Sequence, residues 1–361
     1  MMPSNKKESN DSPQPSADLK TKKDANVQSV DLSSPGVTSM LAKRILEDID
    51  DYCVRTYDGG HRSHLGASLI GHSCKRYLWY LFRWTFREQT DGRKQRLFNR
   101  GHREEARFIE WLEGIGVKCF FENYEGFSYR AESDSYCILV EGDEGERLSP
   151  ENPHFKQHVA RAKADGLEFP QYRVSAVMGH FGGSLDGIAI LPERYGIKEP
   201  VLLEFKTNGT GAGFNKLISE GMAVAKPQHF AQTSTYGSDP VYGFKYVLYL
   251  NICKNDDAMH VEVVKLDHNL GRQMREKAEQ IILATDAPPR LSDNPTHFDC
   301  KFCSAKDICH KGAIPEKNCR SCKKASAVDN AEWFCNEHNG IIPKDFIKQG
   351  CSEWVPITTK G

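Results

Sequence analysis

The chain has 361 residues and a nearly balanced charge, with 48 lysine and arginine residues against 49 aspartate and glutamate residues. A nucleic-acid surface must therefore be a local patch, because the chain has no global basic field. No run approaches the roughly 18 apolar residues that a membrane span requires. The N-terminus has no apolar signal core, so we expect a cytoplasmic location and no membrane partner. The 12 cysteines then favour metal or cluster ligation over disulfides.

The N-terminal segment, residues 1–37, is rich in Ser, Pro, Lys, Asp and Asn, which predicts a disordered tail. Helical apolar spacing follows over residues 40–57. Behind Cys74 comes an aromatic and basic segment with two open interpretations. It is either a core helix with cations reaching to solvent or a surface that tracks a nucleic-acid strand. The residues in question are Lys75, Arg76, Arg83 and Trp84.

The pattern over residues 98–115 predicts a helix that is entered at Gly101 and carries Glu105 on its second turn. Residues 118–129 predict a strand. The polar stretch 131–167 has no clear period, which predicts a hairpin followed by a charged, variable insert.

The stretch with the most information is VLLEFKT, from Val201 to Thr207. Its period-2 pattern predicts a strand with Leu202, Glu204 and Lys206 on one face. A carboxylate and an ammonium inside an apolar run are costly to bury unless they are paired or bind something. The run upstream carries a single acid, Asp186, and the turn residues between the runs predict an adjacent strand pair that brings Asp186 near Glu204.

Further elements follow in order along the chain. Gly209–Gly213 predict a loop and residues 214–224 a helix. In QHFAQTSTY, Gln232 and Tyr236 belong to one helical stripe. Two strands are predicted next, over 244–252 and 260–266, and then a helix over 269–284. Mixed strands and helices of this kind indicate an α+β or α/β fold.

These elements can bring together the equipment for phosphodiester hydrolysis. Carboxylates and carbonyl oxygens hold divalent cations such as Mg²⁺ or Mn²⁺. A lysine beside them can orient the attacking water or stabilise transition-state charge. The candidates are Glu105, Asp186, Glu204, the carbonyl of Phe205, Lys206, Gln232 and Tyr236.

In this order, GHREEAR, SLDG, Glu204-Phe-Lys206 and Gln232-x-x-x-Tyr236 resemble the signatures of the PD-(D/E)xK nuclease superfamily. The match is closest to its exonuclease branch, which includes lambda-type exonuclease, the nuclease domains of bacterial recombination helicase-nucleases and CRISPR-associated exonucleases. The sequence is also similar in texture to exonucleases encoded by tailed bacteriophages. The resemblance extends roughly over residues 68–309.

The resemblance implies a central mixed β-sheet flanked by helices, a restriction-endonuclease-like core. It implies that Glu105, Asp186 and Glu204 are metal ligands, that Lys206 is the catalytic lysine, and that the activity is a metal-dependent DNA exonuclease of recombination, repair or degradation. A recombination or single-strand-binding protein is an implied partner. His102, directly after Gly101, is the alternative to Glu105 in the first motif.

A tight triplet, Cys300, Cys303 and Cys309, requires a fourth ligand. In the exonuclease branch a similar C-terminal triplet closes with one upstream cysteine around a [4Fe-4S] cluster, and Cys74 is similar to that cysteine. Thiolates suit iron–sulfur or zinc. The alternative is a zinc site that uses His310.

The last residues carry a second group, Cys319 and Cys322 in CxxC spacing and then Cys335, which is typical of structural zinc. Cys351 is preferred as the fourth ligand and His338 is the alternative. We therefore predict three regions: a tail over 1–37, a nuclease domain over 38–312, and a small zinc-binding module over 313–361.

Two other functions are compatible with parts of this pattern. A DNA-binding or recombination-partner protein could use a nuclease scaffold with little catalysis, although the presence of Asp186, Glu204 and Lys206 disfavours it. An iron–sulfur redox enzyme is the third hypothesis, and no cofactor-binding fingerprint supports it.

Overall fold

The computed structural model describes residues 36–140 and 142–358. The predicted disordered tail lies outside this range except for Gly36 and Val37. The chain divides into two compact units, residues 1–51 and 52–361. The described part of the first unit is Gly36 and the start of a helix that begins at Val37; the rest of this section concerns the second unit.

The helices are numbered here in chain order. Those of the N-terminal half are α1 Val37–Tyr57, α2 Lys75–Phe82, α3 Gly92–Gly114 and α4 Phe155–Ala164. Those of the C-terminal half are α5 Ala212–Ala225, α6 Pro227–Gly237, α7 His268–Leu283, α8 Phe298–Lys301, α9 Lys306–Lys311 and α10 Lys344–Ile347. Within the described ranges, no helix combines the length and apolar character needed to cross a lipid bilayer.

The strands of the described residues form four sheets. Those before residue 200 are β1 Leu65–Gly66, β2 Lys118–Phe120, β3 Phe127–Arg130, β4 Ser135–Ile138, β5 Arg173–Ala176, β6 Phe181–Ser184 and β7 Gly187–Ile190. The later ones are β8 Val201–Asn208, β9 Tyr246–Cys253, β10 Met259–Lys265, β11 Ala325–Val328, β12 Glu332–Cys335 and β13 Gly340–Ile341.

The main sheet has the order β10-β9-β8-β7-β2, in which β8 and β9 run parallel and the other pairs are antiparallel. β8 is central, and its first five residues are buried. A strand covered on both faces reads as a continuous apolar run, which explains why VLLEF shows little polar alternation. The predicted mixed α+β architecture is confirmed at this level.

The two faces of β8 belong to different apolar clusters. Leu202 packs into the larger cluster with residues of α2, α6 and α7. Val201, Leu203 and Phe205 pack on the other face with Phe108 of α3 and its neighbours. The predicted division of VLLEFKT between two faces is therefore confirmed, and it sets α3 on one side of the sheet and α6 on the other.

Two local predictions differ from the structure. The predicted strand over 118–129 is two separate strands, β2 and β3, which join different sheets. The predicted insert contains the expected hairpin, β3 with β4, and also the helix α4. Phe155 and Ala162 of α4 bury an apolar side against Phe127 and Phe169, so a small local core compensates for the polar composition.

The residues of α2 resolve the two interpretations of the segment behind Cys74. Arg76 and Arg83 are 0% and 3% exposed, and Trp84 is also buried. Lys75 reaches the surface, where it donates a hydrogen bond to Gln280. The segment does form part of the core, but Arg76 and Arg83 do not reach solvent as that interpretation expected. Arg76 Nη1 donates to the carbonyl of Pro288 at 3.0 Å and Trp84 Nε1 to the carbonyl of Arg62 at 2.8 Å, whereas Arg83 Nε has no hydrogen-bond partner among the described residues.

The region after residue 312 packs against α2 and the residues that follow it, and the buried Arg320 is central to this contact. The guanidinium carbon of Arg320 lies 4.6 Å from the ring centroid of Phe82, 4.4 Å from Trp84 and 4.7 Å from Trp333 of β12. Arg83 reinforces this contact by donating hydrogen bonds to the carbonyls of Cys322 and Ala325. The domain boundary predicted between residues 312 and 313 stays a prediction.

Candidate active site

β8 presents Glu204 and Lys206 together at one point of the sheet. The Glu204 side chain is fully buried, while 26% of the Lys206 side chain is exposed. Their charged groups form an ion pair, and Lys206 Nζ also donates to the carbonyl of Phe205 at 3.2 Å. The charge of Glu204 is thereby compensated inside an apolar face.

Asp186 lies directly before β7, whose Gly187 pairs with Leu203 of β8. Its Oδ2 accepts a hydrogen bond of 2.7 Å from the backbone N–H of Phe205 and lies 3.9 Å from Lys206 Nζ. The strand pair predicted from the sequence therefore does bring Asp186 beside Glu204 and Lys206.

Glu105 comes to the same place from α3, and 34% of its side chain is exposed. Burial raises the pKa of Glu105, and the negative charge of Asp186 raises it further, while His102 and Lys206 act in the opposite direction. His102 is 79% exposed and its Nδ1 lies 3.4 Å from Glu105 Oε1. The charges of Asp186 and Lys206 therefore act on Glu105, and the choice between Glu105 and His102 in the first motif stays a prediction.

α6 supplies Gln232 and Tyr236 from the opposite side of the sheet. Gln232 Nε2 lies 3.4 Å from Glu204 Oε2 and 3.5 Å from the hydroxyl of Tyr236. The backbone of Gly183 in β6 approaches that hydroxyl so closely that a Cβ there would meet it at 2.3 Å. Only glycine fits at this position while Tyr236 keeps its place.

A partly buried histidine that the sequence analysis missed lies next to the site. His229 Nδ1 lies 2.9 Å from the hydroxyl of Tyr249, which also accepts a hydrogen bond of 3.0 Å from Asn251 Nδ2. Burial lowers the pKa of His229 to about 3, with smaller contributions from Lys206 and Lys226. The helical spacing of His229 and Tyr236, seven residues apart on α6, was the signal that could have identified it.

The charges of the site are strongly coupled. Burial raises the pKa of Glu204 to about 7, because the ion pair with Lys206 offsets only part of the desolvation and because Asp186 and Glu105 add negative charge. Burial acts to lower the pKa of Lys206, but Glu204 and Asp186 outweigh it and raise this pKa. Lys206 is therefore a permanent cation surrounded by carboxylates.

The oxygens around Lys206 Nζ test whether a divalent cation fits here. The ammonium is surrounded by the Glu204 carboxylate, the Phe205 carbonyl and Asp186 Oδ2. These are the hard oxygen donors that Mg²⁺ and Mn²⁺ prefer. Over residues 36–140 and 142–358, no group of three His, Cys, Asp or Glu side chains is arranged to hold a metal ion, so these oxygens fit a divalent cation by their chemistry and do not form a complete cage.

A cleft of 880 Å³ opens over Glu105, Phe205 and Lys206. It is lined by both polar and apolar groups, namely Thr56, Tyr57, Arg62, Gln95, Leu97, Phe98, Asn99, Gly101, His102, Glu105, Phe108, Phe205, Lys206, Thr207 and Lys254. Arg62 and Lys254 contribute positive charge to the cleft, and the sequence analysis did not select them because each lies in a segment outside the motifs.

The first cysteine group converges on one small cavity. Cys74, Cys300, Cys303 and Cys309 all line it, together with His72 and His310. Burial raises the pKa of Cys300, and the neighbouring Cys74 and Cys309 raise it further. Cys74 also caps α2, because its Sγ accepts a hydrogen bond of 3.4 Å from the N–H of Tyr77.

The second cysteine group lines a separate cavity of 370 Å³. Cys319, Cys322, Cys335 and Cys351 all border it, and so does His338. Burial raises the pKa of Cys319, and Cys351 and Cys322 raise it further. All eight cysteines of the two groups are free thiols, and neither group forms a closed metal cage in the described part of the chain.

Comparison with known proteins gives only distant structural likenesses. No family model and no curated protein matches the chain. The crystal structure of SSO0001 is 12% identical and has a TM-score of 0.34, over 73% of this chain and 96% of that one. LHK-Exo bound to dAMP is 12% identical with a TM-score of 0.34, over 61% and 86%.

A second structure of LHK-Exo, an alkaline exonuclease from Laribacter hongkongensis, is 12% identical with a TM-score of 0.32, over 61% of this chain and 87% of that one. Similarities at this level carry no argument about activity. The function has to be argued from the residues of the site.

Proposed function

We propose that the chain is a divalent-metal-dependent deoxyribonuclease that hydrolyses phosphodiester bonds at DNA ends. The observation that carries the proposal is the meeting of Asp186, Glu204 and Lys206, with Lys206 lining an open cleft. A buried carboxylate paired with a lysine and flanked by a second carboxylate is costly for a purely structural strand. The same groups are useful where a phosphate has to be bound and attacked.

Each residue has a role in this proposal. Asp186, Glu204 and Glu105, with the Phe205 carbonyl, would hold Mg²⁺ or Mn²⁺, which supplies charge neutralisation at the phosphate and a more acidic water. Lys206 orients the attacking water or stabilises charge as it develops on the phosphate.

Gln232 and Tyr236 are positioning residues in this proposal. The amide of Gln232 restrains the carboxylate of Glu204, since its Nε2 lies 3.4 Å from Glu204 Oε2, and the Tyr236 hydroxyl restrains Gln232 in turn.

The test is digestion of end-labelled single- and double-stranded DNA and of covalently closed circles, with Mg²⁺, Mn²⁺ or EDTA. We expect metal-dependent loss of linear DNA, intact circles, and no activity in Asp186→Asn or Glu204→Gln. Lys198→Ala, far from the cleft, is the matched control and should retain activity. Full activity of both site variants, or activity in EDTA, would exclude the proposed site.

The second candidate is a DNA-binding or recombination-partner protein with little catalysis. The ion pair of Lys206 with Glu204 favours it, because the ammonium already compensates carboxylate charge that a metal ion would otherwise neutralise. DNA binding by the wild-type protein with no hydrolysis under any of the metal conditions would select this candidate.

We further propose that Cys74, Cys300, Cys303 and Cys309 hold a [4Fe-4S] cluster, with zinc and His310 as the alternative. Their shared cavity and the softness of thiolates support a metal of this kind. Anaerobic purification followed by visible absorption and iron and zinc analysis tests the proposal. Iron that is lost in Cys74→Ser supports the cluster, whereas a colourless, zinc-only protein excludes it.

Cys319, Cys322, Cys335 and Cys351 would hold structural zinc in the 313–361 module, with His338 as the alternative fourth ligand. Four thiolates around one cavity are a common structural zinc set. If Cys351 is the fourth ligand, the zinc content should fall in Cys351→Ser and remain in His338→Ala. The reverse result would make His338 the fourth ligand.

The biological setting follows only from the resemblance to the exonuclease branch. We propose DNA recombination, repair or degradation, with a phage origin and a location in the host cytoplasm. A single-strand-binding or recombination protein is the expected partner, and co-purification of such a protein from infected cells tests this setting.

A further inference from the structure

The first half of α3 is the most basic exposed surface next to the candidate active site. Residues 92–103 contain Arg93, Lys94, Arg96, Arg100 and Arg103 and no acidic residue. Arg93, Lys94, Arg100 and Arg103 are exposed. The chain as a whole is balanced in charge, so this density is a local feature of the kind that a polyanion-binding surface requires.

The acids that flank this segment neutralise only part of its charge. Asp91 caps α3, with its side chain accepting a hydrogen bond of 2.7 Å from the N–H of Lys94. Glu104 is buried and pairs with Arg107 at 2.7 Å and with Arg100 at 3.7 Å. Across the described residues, Arg93 has no ion-pair partner.

Helical geometry aligns part of this segment with the site. Lys94, Phe98, Gly101 and Glu105 follow one another at intervals of four, three and four residues, so they lie along one stripe of α3. The stripe from Lys94 to Glu105 is about 16 Å long at the rise of an α-helix, a distance over which several phosphates of one strand can be bound. It ends at a carboxylate of the proposed site.

The surface is continuous with the catalytic cleft. A groove of 350 Å³ is lined by Arg93, Lys94, Leu97 and Arg100, among others. Leu97 also lines the cleft that contains Glu105 and Lys206. The groove and the cleft therefore adjoin at Leu97, so a strand bound in the groove lies next to the cleft.

Two apolar side chains interrupt the basic residues. Leu97 is 48% exposed and Phe98 is 49% exposed, and Lys94 Nζ lies 5.8 Å from the centroid of the Phe98 ring. An exposed aromatic ring among cations is the combination with which proteins bind unpaired bases, because every base has a face that stacks. Duplex DNA keeps its bases stacked inside and offers only phosphates to such a surface.

We propose that Arg93, Lys94, Leu97, Phe98 and Arg100, the α3 surface, bind a single DNA strand and lead it to the carboxylate site. Arg93 and Lys94 contact phosphates, Arg100 adds positive charge at the groove, and Phe98 stacks on a base beside Leu97. That the bound strand leads to the carboxylate site rests on the proposed function, whereas binding by the α3 surface does not. Binding by the α3 surface is therefore testable without catalysis.

The experiment measures binding of a fluorescent single-stranded oligonucleotide by anisotropy in EDTA, over a series of salt concentrations. The variants are Arg93→Ala/Lys94→Ala and Phe98→Ala. The control is Lys198→Ala/Lys265→Ala, which removes two exposed positive charges; Lys265 lies at the end of the sheet where Tyr246 pairs, away from Lys206.

We expect the Arg93/Lys94 variant to bind about tenfold more weakly, with a salt slope smaller by about 1.4, since each contact on a single strand contributes roughly 0.7. Phe98→Ala should lose about tenfold on the single strand, keep its salt slope, and lose little on a duplex. The control should match the wild type in Kd and slope.

Binding and salt slopes that are equal in all variants and the wild type would overturn the α3 surface, even if the wild-type protein proves to be a nuclease. A wild-type protein that binds duplex and single strand equally well, with no effect of Phe98→Ala, would overturn the single-strand assignment. If the protein hydrolyses no DNA but binds it through Arg93 and Lys94, the α3 surface stands and the proposed function fails.

Discussion

Lys206 and Arg320 are both cations inside the protein, and they are held in opposite ways. Lys206 stands among carboxylates at the edge of a cleft, and the ion pair with Glu204 and the charge of Asp186 raise its pKa despite burial. Arg320 is enclosed by three aromatic rings, and burial, together with the nearby Arg83, lowers its pKa.

The two cations also differ in their hydrogen bonding. Arg320 Nη1 donates to the carbonyl of Ser63 at 2.9 Å, whereas its Nε and Nη2 have no acceptor among the described residues. Its planar guanidinium mainly fills the space between the three aromatic rings by packing against them. Lys206 is therefore surrounded by opposite charge, whereas Arg320 is surrounded by aromatic rings that its planar group fits.

The largest expected effect comes from removing the charge at the first site. Lys206→Met keeps the length and apolar stem of the side chain but leaves Glu204 and Asp186 without their cation. We expect DNA hydrolysis to fall by about 10³-fold, the typical cost of losing a group that stabilises a transition state. Single-turnover digestion with Mg²⁺ measures it, and wild-type rates in Lys206→Met would contradict the role of the lysine.

The same chemical change at the second site should have a different outcome. Arg320→Met keeps most of the volume between the rings and removes a buried, partly unsatisfied charge, so we expect a free energy of unfolding within about 1 kcal/mol of the wild type. Arg320→Ala leaves a cavity and should cost about 3 kcal/mol. Urea denaturation measures both, and equal losses in the two variants would show that charge matters here as well.

The pH dependence of stability separates the two sites further. Burial raises the pKa of Glu204 to about 7, so the folded carboxyl binds its proton more tightly than the unfolded one. The stabilisation from this tighter proton binding is fully present below the pKa that Glu204 has in the unfolded chain. It is lost as the pH rises through the folded-state pKa of about 7. In EDTA, the free energy of unfolding of the wild type should therefore fall between pH 5 and pH 8 relative to Glu204→Gln.

The expected relative loss is roughly 1 to 3 kcal/mol, from the size of the shift. Matched urea titrations of the two proteins across that pH range give the difference directly, and the buried histidines cancel because both proteins contain them. A difference that is flat with pH would mean that Glu204 is ionised throughout the range.

The smallest effect is expected at Tyr236. Tyr236→Phe keeps the ring in the core and removes only the hydroxyl that lies 3.5 Å from Gln232 Nε2. Because Gln232 still lies beside Glu204, we expect at most about a tenfold loss of hydrolysis and a stability change of about 1 kcal/mol. A loss as large as that of Lys206→Met would give Tyr236 a direct role in the reaction.

The sequence alone determined the features that depend on local period and spacing. Alternation along VLLEFKT placed Glu204 and Lys206 on one face, the turn residues before it predicted the pairing that brings Asp186 close, and four-residue spacing put Gln232 and Tyr236 on one stripe of a helix. Each of these needs only the geometry of one element or of two adjacent ones.

Tertiary structure decided what depends on burial between distant segments. The local sequence does not show that Arg76 and Arg83 are buried. It also does not show that Arg320 packs against Phe82 and Trp333. The contact of His229 with the hydroxyl of Tyr249 likewise depends on the tertiary fold. A basic residue on an amphipathic helix looks the same whether the facing surface is protein or solvent. The segment that follows Cys74 and the first half of α3 are both basic in sequence. Only the packing shows that the arginines of the first segment are buried and that those of α3 are exposed to a nucleic acid.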